Sequence, residues 1–152
     1  MDQAAVMRCF EQYKTGIFRY ALSITKDAHL SEDILQETFL RFLTAVCLPG
    51  KEQAWLYRVA RNLCYDHLRK AKREETEEAL PAWKEAQYAY IELIASLSPA
   101  EQEIVTLKIV GGLTHREIGA VLGITARAAQ KRYERAIASL REMEEEHGTE
   151  TI

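Results

Sequence analysis

GLTHREIGAVLGITARAAQKRYERA, residues 112–136, decides how this chain folds. Thr114-His115-Arg116-Glu117 is a capping box: a hydroxyl and a carboxylate three residues apart satisfy the free N–H groups at a helix start. Gly123 follows, a residue that supplies the φ > 0 conformation common at a helix end. The turn Gly123-Ile124 then leads to Thr125, which can cap a second helix. Ile118, Leu122, Ile124, Ala129, Tyr133 and Ala136 can close into one small core, and Gly119 falls where the two helices cross closely. The segment reads as a helix-turn-helix. In that motif the start of the second helix enters the DNA major groove, and here it presents Arg127, Gln130, Lys131 and Glu134. Gln130 can pair with adenine, Lys131 with guanine, and Glu134 can accept from cytosine N4. Arg116, Arg132 and Arg135 are placed as phosphate clamps, which orient without specifying a base. The plain alternative is a helical hairpin that packs on a protein, its basic residues forming a solvated face.

The charge of the chain looks wrong for a DNA reader, with a formal net charge of -3 over 152 residues. The sum hides segregation. Residues 51–73 hold seven basic residues against Glu52 and Asp66, and residues 125–141 hold five against Glu134. Residues 74–103 hold eight glutamates against Lys84, and residues 142–152 add five more. Nucleic acid responds to local potential over a Debye length of about 8–10 Å, so acid outside the reading surfaces does not forbid binding.

Working outward, apolar residues recur at spacings of three and four almost throughout, which predicts an all-α chain. A first helix over about 4–23 gathers Val6, Phe10, Tyr13, Ile17, Phe18 and Leu22 on one face. A second starts from Ser31 as N-cap, carries Ile34, Leu35, Thr38, Phe39, Phe42 and Leu43, and stops before Pro49-Gly50. A third spans about 53–72. Residues 74–87 read as an acidic linker around Pro81, with a solvated helix extension as the alternative. Ser98-Pro99-Ala100-Glu101 is a second capping box with Pro at the first helical position. Four helices follow the linker, at about 88–96, 99–110, 114–122 and 125–144, and residues 145–152 read as a frayed acidic tail. The organisation is thus two small helical domains joined by an acidic linker, the C-terminal one a helix-turn-helix.

Composition excludes other classes. A hydrophobic share of 47% with 28% charged residues is that of a folded soluble protein. The start MDQAAVMRCFEQYK lacks the pattern of a signal peptide, and no stretch approaches the ~18 apolar residues of a membrane span, so no membrane insertion is expected. Cys9, Cys47 and Cys64 are widely spaced and read as small buried thiols in a reducing compartment; His29, His67, His115 and His147 are scattered, with no metal pattern and no cofactor motif. No nucleophile–base pair or phosphate loop is evident, so an enzyme is not expected.

The stretch WLYRVARNLCYDHLRKAKR, residues 55–73, is a second basic patch of different character. At 100° per residue, Leu56, Val59, Ala60 and Leu63 point one way. Trp55, Arg58, Asn62, Tyr65, Asp66 and Arg69 fall within an arc of about 100° on the other side. Aromatic planes stack on unpaired bases, amides and carboxylates read their edges, and arginines hold phosphate, so this mixture suits a parted strand. The alternative is that Trp55 and Tyr65 bury against another helix, and for Trp55 it weighs equally.

These stretches, together with SEDILQETFLRFL (residues 31–43) and LSPAEQEIVTLKIVGG (residues 97–112), closely resemble bacterial sigma factors of the extracytoplasmic-function type within the sigma-70 family. The resemblance runs from about residue 5 to 142. It implies a first domain (residues 1–73) that binds core RNA polymerase and recognises and melts the −10 promoter element. It implies a second (residues 88–144) that reads the −35 element. By position, Asp33, Gln36, Glu37 and Phe39 would face polymerase. The loop 46–53 would help capture a flipped −10 base, and Trp55, Asn62, Asp66 and Arg69 would lie beside the opened strand. The linker, as a polyanion, would thread toward the path of RNA. Gln130 stands where the family commonly has a basic residue, Glu134 is unusual in a DNA-facing row, and Gly119 replaces the usual alanine. Sigma factors of this type are often held by an anti-sigma factor, although no residue here identifies one. The expected role is a cytoplasmic, promoter-directing subunit of RNA polymerase without cofactor. The rivals are a stand-alone helix-turn-helix regulator and a sigma-like interaction module that never opens DNA.

Overall fold

Asp2 opens the first helix, its carboxylate accepting from the Ala4 N–H, in the computed structural model, which describes residues 2–45, 50–70 and 82–150 (backbone only from 146). Helix α1 spans Gln3–Thr25, α2 Ala28–Thr44 and α3 Glu52–Lys70. Among the described residues every regular element is helical. The three helices pack side by side around Ile17, Phe18, Leu22, Ile34, Leu35, Phe42, Leu56 and Leu63. The second helix starts one turn earlier than its sequence suggests. Lys26 takes a left-handed conformation at φ 57 and ends α1 abruptly. Asp27 then caps α2 by accepting from Leu30 N–H at 3.0 Å, while Ser31 lies buried inside the helix and donates to the Asp27 carbonyl. Leu43, expected in the core, is 38% exposed instead.

The second half begins inside the expected linker. A single turn, α4 (Ala82–Glu85), precedes α5 (Gln87–Ile94) and docks on α1, where Trp83 meets Phe18 edge-on at 5.6 Å. Lys84 is buried there, pairing with Glu32 at 2.5 Å. Part of the 74–87 stretch is therefore packed structure; residues 74–81 lie outside the described residues.

Ser98 and Thr114 both form the capping boxes read from sequence, with Glu101 and Glu117 closing them. Helix α6 (Pro99–Val105) widens into a π turn over Thr106–Val110, marked by the Gly111 N–H bonding back to the Thr106 carbonyl at 3.0 Å. The motif itself is α7 (His115–Leu122) and α8 (Ala126–Glu150). Gly123 ends α7 at φ 72, and Thr125 caps α8 through the Ala128 N–H. A Cβ on Gly119 would lie 2.5 Å from the Ile124 carbonyl oxygen, so helix and turn approach as closely as the sequence implies. Ile118, Ala129 and Ala136 are buried beneath, joined by Val121 and Leu113. Helix α8 continues through the expected tail to Glu150, because the Glu-rich run favours helix and no proline interrupts it.

The two halves are in contact. Tyr57 of α3 is 1% exposed, its ring set between Gly16 of α1 and Gly111 at the end of the π turn. Gln53 donates to the Gly111 carbonyl, Lys26 to Gln102, and Arg19 to Gln87 across the same seam.

Candidate nucleic-acid interface

Helix α3 buries Leu56, Ala60 and Leu63, and that anchors its opposite face. On that face Asn62, Tyr65, Asp66 and Arg69 line one recess together with Arg61. Arg69 donates to Asp66 one turn before it. Asn62, Asp66 and Arg69 are open to solvent, and Tyr65 is half-buried. The structure thus brings four of the six sequence-derived residues to one concavity. Arg58 is exposed on α3 but does not line it. Trp55 turns toward α2, where its ring lies 5.4 Å from Phe42 and is partly covered by the core. Its burial follows from Phe42, which offers an aromatic partner at the helix end. Val46 to Pro49, part of the expected base-capturing loop, lie outside the described residues.

Arg61 is a member of the recess that the helical wheel alone did not single out. Its Nε donates to Glu103 at 2.8 Å, and its guanidinium lies over the Tyr65 ring at 4.8 Å. Glu103 belongs to α6, 42 residues away, so no local pattern could reveal the pair. The same carboxylate accepts from Tyr65 at 2.6 Å and from the fully buried Tyr20 at 2.8 Å. Burial, reinforced by Glu103, pushes the Tyr20 phenol well above its ordinary range, and the same two causes raise Tyr65. For Arg61 burial works against the charge, but the hydrogen bond and charge of Glu103 outweigh it and hold the guanidinium protonated. Burial also raises the Cys64 thiol, which keeps it unreactive.

On the helix-turn-helix the structure shows exposure of the residues singled out from the sequence. Arg127, Gln130, Lys131 and Glu134 are all exposed along α8, flanked by exposed Arg116, Arg132 and Arg135. Gln130 donates to Glu134 at 3.3 Å, a contact that would have to open for either side chain to read a base. On α2, Asp33 and Gln36 are exposed and Glu37 pairs with Arg41 at 3.2 Å. Phe39 does not share that surface: it is 6% exposed and packs edge-on against Phe10 and Phe42. The exposed apolar side chain beside these polar residues is Leu40. Among the described residues no helix is long and apolar enough to cross a membrane.

Comparison with known proteins follows the same division of the chain. The Sigma-70 region 2 profile matches residues 9–74, and the Sigma-70, region 4 profile matches residues 87–140. The chain is 44% identical over 69 residues to the ECF RNA polymerase sigma factor SigM of Bacillus subtilis, covering 44% of this chain and 42% of that protein. It is 32% identical over 171 residues to the ECF RNA polymerase sigma factor SigE of Mycolicibacterium smegmatis, covering 99% of this chain and 66% of that protein. The chain therefore spans about two fifths to two thirds of the length of these relatives. Two solved structures share the fold. CnrH, solved with the cytosolic domain of CnrY, superposes with a TM-score of 0.70 at 22% identity over 95% of this chain and 90% of that one. The Bartonella quintana sigma factor RpoE, solved with the anti-sigma factor NepR, gives 0.65 at 18% identity over 89% and 95%.

Proposed function

The chain belongs to the sigma-70 family, as a sigma factor of the extracytoplasmic-function type, and from that premise we propose that it binds core RNA polymerase and directs promoter-specific transcription initiation. The observation that carries this reading is the pairing, in one chain, of a duplex-reading motif with a recess suited to a parted strand. A helix-turn-helix alone needs only the exposed row on α8. The recess of Asn62, Tyr65, Asp66 and Arg69 adds base-edge, stacking and phosphate groups that duplex reading does not require.

In this reading residues 1–73 hold the polymerase and open the −10 element, residues 88–144 read the −35 element, and residues 74–87 link them. Residues 145–150 extend the last helix. Arg58, Asn62, Tyr65, Asp66 and Arg69 contact the opened strand, with Trp55 supporting them from the core side. Gln130, Lys131 and Glu134 read bases upstream, and Arg116, Arg127, Arg132 and Arg135 hold phosphate. Asp33, Gln36 and Glu37 meet polymerase, with Leu40 beside them and Phe39 fixing the helix beneath. The work is binding rather than catalysis, and its place is the cytoplasm. An anti-sigma partner is supported by the structural neighbour RpoE, solved with the anti-sigma factor NepR.

Affinity for free DNA should be low, because two small patches neutralise few phosphates. Core polymerase would present both at high effective concentration. The test is a pull-down with purified core polymerase followed by run-off transcription over genomic fragments. Promoter-directed RNA supports the reading. Tight, sequence-specific DNA binding without polymerase would instead identify a stand-alone regulator, and binding to core without promoter-directed RNA an interaction module.

A further inference from the structure

Glu103 is buried to 7% exposure, yet it carries a carboxylate, and all that satisfies it comes from the other half of the chain. Oε1 accepts from Tyr20 and from Arg61 Nε, each at 2.8 Å, and Oε2 accepts from Tyr65 at 2.6 Å. One guanidinium and two hydroxyls converging on one anion make an anion seat. Arg61 and Tyr65 also line the recess with Asn62, Asp66 and Arg69. The seat therefore opens onto the surface that the proposed function gives to the melted strand, and its occupant is supplied by the domain that reads duplex.

We propose that Arg61 and Tyr65 form a nucleic-acid phosphate site which Glu103 occupies when the two domains are closed on each other. The inference rests on the sigma-factor reading for the identity of the strand. A carboxylate and a phosphodiester both present anionic oxygens to N–H and O–H donors, so they compete for the same groups. Three donors make the seat attractive enough to bury Glu103, and an ionised carboxylate buried without them would be strongly disfavoured. Lys84, clasped to Glu32 under Trp83, and Gln53, bonded to the Gly111 carbonyl, hold the rest of the seam. When the domains part, Glu103 leaves with α6 and Arg61 becomes free for the strand.

The test compares the wild-type chain, Glu103→Gln, Arg61→Ala and Tyr20→Phe. Small-angle scattering reads closure, and fluorescence anisotropy with a labelled oligothymidylate reads strand binding. Glu103→Gln is expected to enlarge the radius of gyration and to bind the oligonucleotide about tenfold more tightly, the ratio expected when a charge-assisted contact that competes is lost. Tyr20→Phe, which removes one donor without touching the recess, should shift both readings the same way by less, and it serves where Glu103→Gln does not fold. Arg61→Ala is the decisive arm: it should also open the chain but bind the oligonucleotide more weakly than wild type. If Arg61→Ala binds as tightly as Glu103→Gln, Arg61 is only a strut and the phosphate site is refuted. Unchanged scattering and binding in both Glu103→Gln and Tyr20→Phe would refute the competition. Run-off transcription with core polymerase reads the sigma-factor assignment separately: wild-type activity beside inert latch variants would sink this inference and leave that assignment standing.

Discussion

Gly16 lies in the middle of α1, and replacing it by alanine sets two effects of opposite sign against each other. Alanine is favoured over glycine inside a helix by about 1 kcal/mol. The new Cβ, however, would sit 2.3 Å from the Tyr57 hydroxyl oxygen, 3.6 Å from its Cζ and 3.8 Å from Val110 Cγ1. Tyr57 cannot simply swing away. It is 1% exposed, with Tyr20 5.5 Å from its ring centre and Gly111 backbone on the far side. Overpacking of this kind costs about 1–3 kcal/mol. The net effect of Gly16→Ala is therefore a loss near 1 kcal/mol, or a fall in Tm of about 2–4 °C for a chain of this length. The sharper test is a double-mutant cycle with Tyr57→Phe, which removes only the offending hydroxyl. In that background the nearest ring carbon is at ordinary contact distance, so the same alanine should stabilise by up to about 1 kcal/mol. Denaturant titration of the four proteins should give a coupling of about 1–3 kcal/mol. If Gly16→Ala alone raises stability, or the coupling vanishes, the tight seat of Tyr57 between the two halves is not the conformation in solution.

Three further outcomes are expected. Lys131→Ala, at an exposed position of α8, should weaken use of the upstream promoter element by about 1–3 kcal/mol in run-off transcription, whereas uniform weakening on every template would mark it as a phosphate contact. Asn62→Ala should leave closed-complex formation intact and reduce permanganate reactivity of the opened region; normal opening would remove Asn62 from the strand surface. The pH dependence follows from Tyr20 and Tyr65, whose phenols are raised in the folded chain by burial and by Glu103. A raised folded value means their contribution is complete below the unfolded tyrosine pKa of about 10 and fades as pH climbs above it. Denaturation midpoints should therefore fall on the alkaline side of about pH 10, and Tyr20→Phe should flatten that fall.

Much of this was legible in the residues because it is local. Both capping boxes, the left-handed Gly123 and the Thr125 cap depend on groups within three or four positions of each other, and all stand where the sequence places them. The start of α2 is not fixed locally, because Ser31 and Asp27 are equally good caps; a turn at Lys26, where α2 folds back on α1, decides for Asp27. Phe39 sits next to polar, surface-suited neighbours in sequence, yet an aromatic cluster with Phe10 and Phe42 draws it inward. Trp55 followed the same rule at the other end of that cluster.

Sequence by itself determined the helical class, most of the helices, the exposed polar row on α8 and the polar arc on α3, since each rests on helical periodicity and on caps a few residues apart. Only the tertiary structure decided how the groups meet. Glu103 finds Tyr20, Arg61 and Tyr65 across separations of 83, 42 and 38 residues, and Lys84 finds Glu32 from within a stretch that reads as linker. A buried charge must be answered by whatever donors the fold brings within reach, and that choice belongs to packing between distant helices rather than to any local pattern.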